Sequence, residues 1–335
     1  MTYQPIWRDY FCEVDAESLS FQILTGGKII YNGVAHRRPN HSTLQVKLND
    51  ICADYLFNEL PTMSQSAFDA LSFPLVFEIE DAITGEPLDE VAFVNDWSYE
   101  YDRDILADGM AAPVNGKILP TQWLTFTGLD MDEVTAVITL QDGTEMRVMM
   151  PLRISEDFSN DFNNDFARSV RSAGSGTAVI DLSRWEGVRK VVVNGVEYKA
   201  VDSCARYVLY YINAYGGWDS FVIEGNTTMS ENVTRIERET GYDNRDMKNR
   251  GKVNVASQME RVMTMHTSWL SDEQSLRMHH LLNSTNVYLF DNETREMQPV
   301  LLSNDVTNFK TYKGSGNQMV NYTIELTFSN KKERR

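Results

Sequence analysis

The run Ala205-Arg-Tyr-Val-Leu-Tyr-Tyr-Ile-Asn-Ala-Tyr215 is β-branched and aromatic, stops at Gly216-Gly217-Trp218-Asp219, and resumes as Ser220-Phe-Val-Ile-Glu224. Val, Ile and Tyr suit a packed, pleated surface, and paired glycines mark a turn between strands. The stretch predicts a largely buried core hairpin, and the same pattern repeats on both sides of it.

Upstream, Leu19-Ser-Phe-Gln-Ile-Leu24 and Lys28-Ile-Ile-Tyr31 flank Thr25-Gly26-Gly27, which is hairpin chemistry. Thr43-Leu-Gln-Val-Lys-Leu48 alternates at period two, and Asn49 or Asp50 then caps a short helix through Ile51, Cys52, Tyr55 and Leu56. Leu71–Glu80 and Val91–Trp97 pair across Thr84-Gly85-Glu86-Pro87, while Asp142-Gly143 and Asn194-Gly195 mark two further tight hairpins. Downstream, Ser271-Asp-Glu-Gln274 has the form of a capping box. It opens a helix whose Met278, Leu281 and Leu282 share a face, ending near Asn283. Asn286–Phe290 and Met297–Leu302 form another hairpin, Asn321–Phe328 reads as the last strand, and Lys331–Arg335 reads as a solvated tail.

These signals predict a mainly β chain with a few short helices, in two antiparallel β-sandwich-like or barrel-like domains. The expected boundaries are an N-terminal β domain with a short helix over 1–153, a linker or anchoring arm over 154–176, and a C-terminal β domain over 177–335 with its helix near 272–283. The middle segment carries Asp157-Phe, Asp161-Phe and Asp165-Phe before the small residues Ser172–Gly176. In a helix this four-residue spacing brings Phe158, Phe162 and Phe166 to one face, an arrangement that fits either an anchoring arm or local packing. From Asn226 to Asn254 charges interleave densely, which predicts an exposed excursion from the core.

The chain has 335 residues, with 31 Lys+Arg against 48 Asp+Glu and a formal net charge of −17. Such an acidic surface argues against nucleic-acid binding, sequence-specific readout included. Hydrophobic residues make up 42% of the chain, enough for a buried core without staples, and no window approaches a membrane span. The N-terminus lacks the pattern of a signal peptide, so membrane insertion and export are not expected. Cys12, Cys52 and Cys204 are far apart and predict buried thiols instead of a disulfide framework or a cysteine zinc site.

No motif with a defined mechanism is present, so no catalytic residue, cofactor or metal site is assigned. Asp102 and Asp104 beside Tyr99 and Tyr101, and the group Asp130, Asp132 and Glu133, read as solvated loop carboxylates. Asp157, Asp161 and Asp165 lack the spacing and turn glycine of a calcium loop. His279 and His280 diverge by about 100° on a helix, so with His266 they read as structural or surface residues. Tyr215 and Trp218, with the glycines between them, also suit a sugar-stacking platform.

The stretch Cys204–Gly225 resembles a segment of tail structural proteins from phages and prophages of gut bacteria. Ser268–Ser275 with Leu281–Phe290, Pro299–Leu302, and Phe309–Lys313 leading to Tyr322–Leu326 fit the same pattern. In the N-terminal half, Ile29–Ala35 followed by Leu44–Leu56 is also similar to that group. The resemblance implies a β-rich virion subunit, assembled in the host bacterial cytoplasm, that forms a ring near the tail tip or tail junction like distal tail proteins. Its implied partners are copies of itself, a hexamer or a multiple, and other tail proteins; no functional residue carries over. The alternatives are a carbohydrate-binding or glycan-degrading β protein, and a plain cytosolic adaptor.

Overall fold

The computed structural model describes residues 2–56, 75–94, 97, 116–128, 133–151, 176–201, 205–239, 252–303, 320–328 and 332–334. The chain is mainly β, with antiparallel sheets forming sandwich-like domains and two short helices among the described residues. It divides into two compact units, Met1–Asp202 with Ile212–Ser220, and Ser203–Tyr211 with Phe221–Arg335.

The first unit begins with β1 (Thr2–Pro5), β2 (Phe11–Val14), β3 (Ser18–Thr25), β4 (Lys28–His36), β5 (Leu44–Lys47), α1 (Asn49–Leu56), β6 (Leu75–Asp81) and β7 (Pro87–Val94). One sheet has the order β1-β7-β6-β3-β4, and β2 pairs with β5. Only β1 on β7 is parallel in this part. Alternation along β3 sends Leu19, Phe21 and Ile23 inward, where they meet Phe77, Ile79, Val91, Phe93 and Cys52 in one core. Asn49, at the start of α1, accepts from the Tyr10 N–H at 2.6 Å and donates to the Ile6 and Arg8 carbonyls. One buried amide thus satisfies backbone groups that the entering chain would otherwise leave unpaired. Cys12 and Cys52 are buried free thiols as expected, and burial pushes them up to about 11 and about 12.

The unit continues with β8 (Lys117–Ile118), β9 (Trp123–Gly128), β10 (Glu133–Leu140), β11 (Glu145–Pro151), β12 (Gly176–Asp181), β13 (Val188–Val193) and β14 (Val196–Ala200). The sheet β11-β10-β13-β14-β8 and the pair β12-β9 share a core of Leu124, Phe126, Ala136, Ile138, Ile180, Val191, Val193 and Tyr198. Asn194 (φ 46°) and Gly195 (φ 82°) turn β13 into β14, the double positive φ that the Asn-Gly signal predicts.

The expected junction at 154–176 is corrected here. β12 pairs with β9, Ala178 opposite Phe126, and β13 pairs with β10, so both ends of that segment belong to the first unit. The strands after 176 are needed to close the sandwich begun before 153. Phe158, Phe162 and Phe166 lie outside the described residues.

The chain then runs β15 (Tyr207–Ile212), β16 (Trp218–Ile223), β17 (Thr227–Glu239), β18 (Lys252–His266), α2 (Asp272–Leu282), β19 (Val287–Asp291), β20 (Glu296–Leu302), β21 (Thr323–Phe328) and β22 (Lys332–Arg334). The sheet order is β16-β15-β19-β20-β21-β18-β17, with β22 also on β18. The tail read as solvated is therefore partly a strand, with Arg334 opposite Ser257. The capping box of α2 forms: the Gln274 N–H donates to Ser271 Oγ at 3.2 Å, and the Ser271 N–H to Gln274 Oε1 at 2.9 Å. Met278 and Leu281 are fully buried on one face of that helix, which ends at Asn283.

Where β15 begins beside the end of β19, Arg206 Nε donates to both Asp291 oxygens at 3.0 Å, and a second guanidinium nitrogen reaches Glu293 at 2.8 Å. Burial alone would raise the Asp291 carboxyl, but Arg206 and the Glu293 and Thr294 N–H groups hold it below the usual carboxylate range.

Two outcomes follow from these cores. Phe126→Ala empties the centre of the β9–β14 sandwich and lowers unfolding stability by about 3–5 kcal/mol in denaturant titration. The Asp291 pKa is depressed on folding, so its contribution is complete above about pH 4 and is lost as pH falls through the folded value. Acid unfolding followed by circular dichroism therefore begins at higher pH in Arg206→Ala than in the parent chain.

Candidate functional site

The feature that departs most from a packed domain is the ribbon formed by β17 and β18. Thirteen residues of β17 pair antiparallel with β18, from Thr227 opposite Met265 to Glu239 opposite Lys252, with a bulge at Ile236/Glu237. At about 3.3 Å per residue the ribbon is roughly 43 Å long. Every residue of β17 is exposed, whereas β18 passes from exposed at Lys252 to buried at Met263 and Met265. β21 and β22 pair with β18 at 262–266 and 257–259, so among the described residues its outer end, 252–256, has β17 as its sole neighbour. Among the described residues β17 is the outermost strand of its sheet.

Alternation gives the ribbon two distinct faces. Met229, Glu231, Val233 and Arg235 share one face with their partners Met263, Arg261, Met259 and Ser257. Ile236 and Ala256 share the other face. Met229 is 50% exposed, Val233 41% and Ile236 61%. Glu231 accepts from Arg261 Nε at 3.1 Å, and Glu237 faces Lys252 at 3.9 Å. Exposed cross-strand ion pairs of this kind contribute little to stability. Beyond Ser257 the ribbon is two-stranded among the described residues, and such a ribbon is marginal in water, so its exposed apolar side chains are suited to burial against another surface.

The root is fixed by backbone fit. A Cβ on Gly225 would stand 2.1 Å from the His266 carbonyl oxygen, so only glycine lets the chain leave β16 this close to the end of β18. His266 itself donates its N–H to the Asn226 carbonyl at 3.1 Å.

The exposed excursion expected over 226–254 is thus a regular β-ribbon in its described part. Only Val253 and Val255, flanking Asn254, carry a period-two signal; the apolar residues of β17, Met229, Val233 and Ile236, are spaced four and three apart. A ribbon exposed on both faces needs no apolar side, so its sequence does not alternate.

The sugar-stacking platform is corrected. Trp218 is 0% exposed and Tyr215 is 9% exposed, so neither ring offers a face to a glycan. The turn is held inside the first unit. Asn213 Oδ1 accepts from the Tyr215 and Gly217 N–H groups at 3.0 and 3.1 Å, and the Trp218 N–H donates to Thr127 Oγ1 at 3.1 Å. Thr125 Oγ1 in turn donates to the Trp218 carbonyl at 3.2 Å. These aromatics are buried, and hydrogen bonds from the Trp218 backbone to β9 hold the turn.

Asp102, Asp104, Asp130, Asp132, Asp157, Asp161, Asp165 and Cys204 lie outside the described residues. Among the described residues no group of three or more His, Cys, Asp or Glu side chains is arranged to hold a metal, and no helix is long and apolar enough to cross a membrane. His266 Nδ1 lies 3.1 Å from Thr323 Oγ1, and burial lowers the pKa of His279. No protein-family model matches the chain, and no curated protein matches it.

The ribbon's two ends respond differently to substitution. Gly225→Ala at the root costs about 1–3 kcal/mol, because the backbone must move. Ile236→Ser on the exposed outer part changes stability by no more than about 0.5 kcal/mol. Equal losses at both positions in thermal or denaturant unfolding would mean that the outer ribbon is packed.

Proposed function

We propose that this chain is a non-enzymatic structural subunit of a phage tail, assembling with copies of itself, as a hexamer or a multiple, into a ring at the distal tail or tail junction. The observation that carries the reading is the β17–β18 ribbon, a long element exposed on both faces and bearing Met229, Val233 and Ile236 in water. A ring subunit needs such an element, because the surface left exposed in one copy is the surface buried on the next. The sheet of the second unit supplies the base from which the arm projects.

The chain's resemblance to phage tail proteins gives the setting, and its acidic charge suits a component that DNA passes without sticking. In this reading the protein is made in the host bacterial cytoplasm and ends in the virion tail, contacting other tail proteins. The glycan reading loses its main support with the burial of Trp218 and Tyr215.

The test is mass by light scattering, with negative-stain images, on the full chain and on a variant whose residues 231–261 are replaced by Asn-Gly. That cut leaves Ser230 opposite Val262 and keeps Met263 and Met265 in place. The full chain is expected to form closed rings of fixed copy number, and the shortened chain to lose them while remaining folded. A full chain that stays monomeric at high concentration and in the presence of tail extract contradicts the proposal.

A further inference from the structure

The outer edge of β17 has a defined hydrogen-bonding pattern. The Asn226 and His266 pair is hydrogen-bonded, through the His266 N–H to the Asn226 carbonyl. In an antiparallel ladder such pairs recur every second residue, so Thr228, Ser230, Asn232, Thr234 and Ile236 point their backbone groups at β18. The other edge of β18 agrees, since its odd-numbered neighbour Thr267 donates to the Tyr322 carbonyl on the opposite side. The N–H and C=O groups of Thr227, Met229, Glu231, Val233 and Arg235 therefore point away from β18, and among the described residues no strand pairs with them. A row of five donor–acceptor positions on an exposed edge is a template for another strand.

The side chains specify which strand. If a second β17 approaches antiparallel, outward-pointing residues must pair with outward-pointing residues. Centring the pair on Val233 puts Val233 opposite its own copy and Glu231 opposite Arg235 twice, once on each side of the two-fold axis. Met229 then faces Glu237, Ser230 faces Ile236, and Asn232 faces Thr234, with no like charges opposed. Moving the centre to Glu231 or to Arg235 opposes that residue to its own copy, and moving it to Thr234 opposes Glu231 to Glu237. Centring on Asn232 avoids repulsion but pairs no opposite charges, and centring on Ile236 pairs Arg235 with Glu237 but overlaps β17 only over 233–239, against 227–239 for the Val233 register. Opposite charges placed directly across a strand pair attract and like charges repel, so the sequence of β17 favours the Val233 register. Arg235 has no ion pair among the described residues, while Glu231 holds one to Arg261, which leaves the carboxylate flanked by a cation on each side once the second copy docks.

We infer that β17 is a self-complementary docking edge, which pairs antiparallel with β17 of a second copy of this chain about a two-fold axis at Val233. The inference rests on the reading of the chain as a self-assembling subunit, and it adds a symmetry. A two-fold contact uses the same patch on both copies, whereas ring closure uses two different patches. A chain with both kinds of contact builds paired rings of dihedral symmetry, with the apolar faces of the ribbon packing on the next subunit of the same ring and its β17 edge joining one ring to the other.

The test is register-specific cross-linking of the full chain. In a hydrogen-bonded antiparallel pair the two Cα atoms are about 5.5 Å apart, within disulfide range. Val233→Cys is expected to give a disulfide-linked dimer under mild oxidation, while Met229→Cys and the parent chain do not, and a mixture of Glu231→Cys with Arg235→Cys gives the mixed dimer. Arg235→Glu, which opposes Glu231 in both symmetry-related positions, weakens association in sedimentation by about tenfold, and combining it with Glu231→Arg and Arg261→Glu, which keeps opposite charges paired within the ribbon as well, restores association. Oligomers that form normally without a Val233→Cys cross-link, or that ignore Arg235→Glu, overturn the edge pairing and leave the assembly proposal standing. A chain that stays monomeric under all conditions overturns both.

Discussion

A strand with one edge and both faces in water is the constraint on which this structure turns. Backbone N–H and C=O groups need partners, and water supplies them to an exposed edge at the cost of leaving it open to any other strand. β17 accepts that condition over thirteen residues, with its side chains exposed throughout. The body of the second unit is arranged to hold this strand out. β21 and β22 pair with β18 over 262–266 and 257–259, Met263 and Met265 enter the core, and Gly225 lets the chain pass close to the His266 carbonyl. Rigidity at the root and solvation beyond it are two parts of one design, because an arm transmits no orientation unless its base is fixed.

The bodies obey ordinary rules for β proteins, and most of them could be read from the residues. Asn194-Gly195 takes the double positive φ of a tight hairpin, Ser271 and Gln274 close their capping box, and alternation along β3 and β21 assigns inside and outside correctly. These features are local, with the signal and the structure lying within a few residues of each other. The domain boundary was not local. Whether Ala178 pairs with Phe126 depends on a strand some fifty residues earlier, and a small-residue stretch between them looks the same whether it separates two domains or loops out of one.

The aromatic turn and the ribbon show the same limit in opposite directions. Tyr215-Gly-Gly-Trp218 has the composition of a binding platform, but Thr125 and Thr127 on β9 anchor it inside, and a pattern of residue types carries no information about which side of a sheet is covered. In the ribbon, charge density pointed correctly to solvent, while apolar residues spaced four and three apart gave no strand periodicity. The apolar members Met229, Val233 and Ile236 became informative only when their exposure was known. In a monomer they are a liability; in an assembly they are contact surface.

The central claim is that β17 is completed by another molecule, and amide hydrogen exchange across protein concentration tests it directly. The outward-facing N–H groups of Met229, Glu231, Val233 and Arg235 are expected to exchange freely in dilute solution and to become protected as concentration rises. Amides of β15 and β19, whose partners lie within the chain, should keep the same protection throughout. Exchange in β17 that is equally slow at every concentration, or equally fast in the assembled state, would contradict the account.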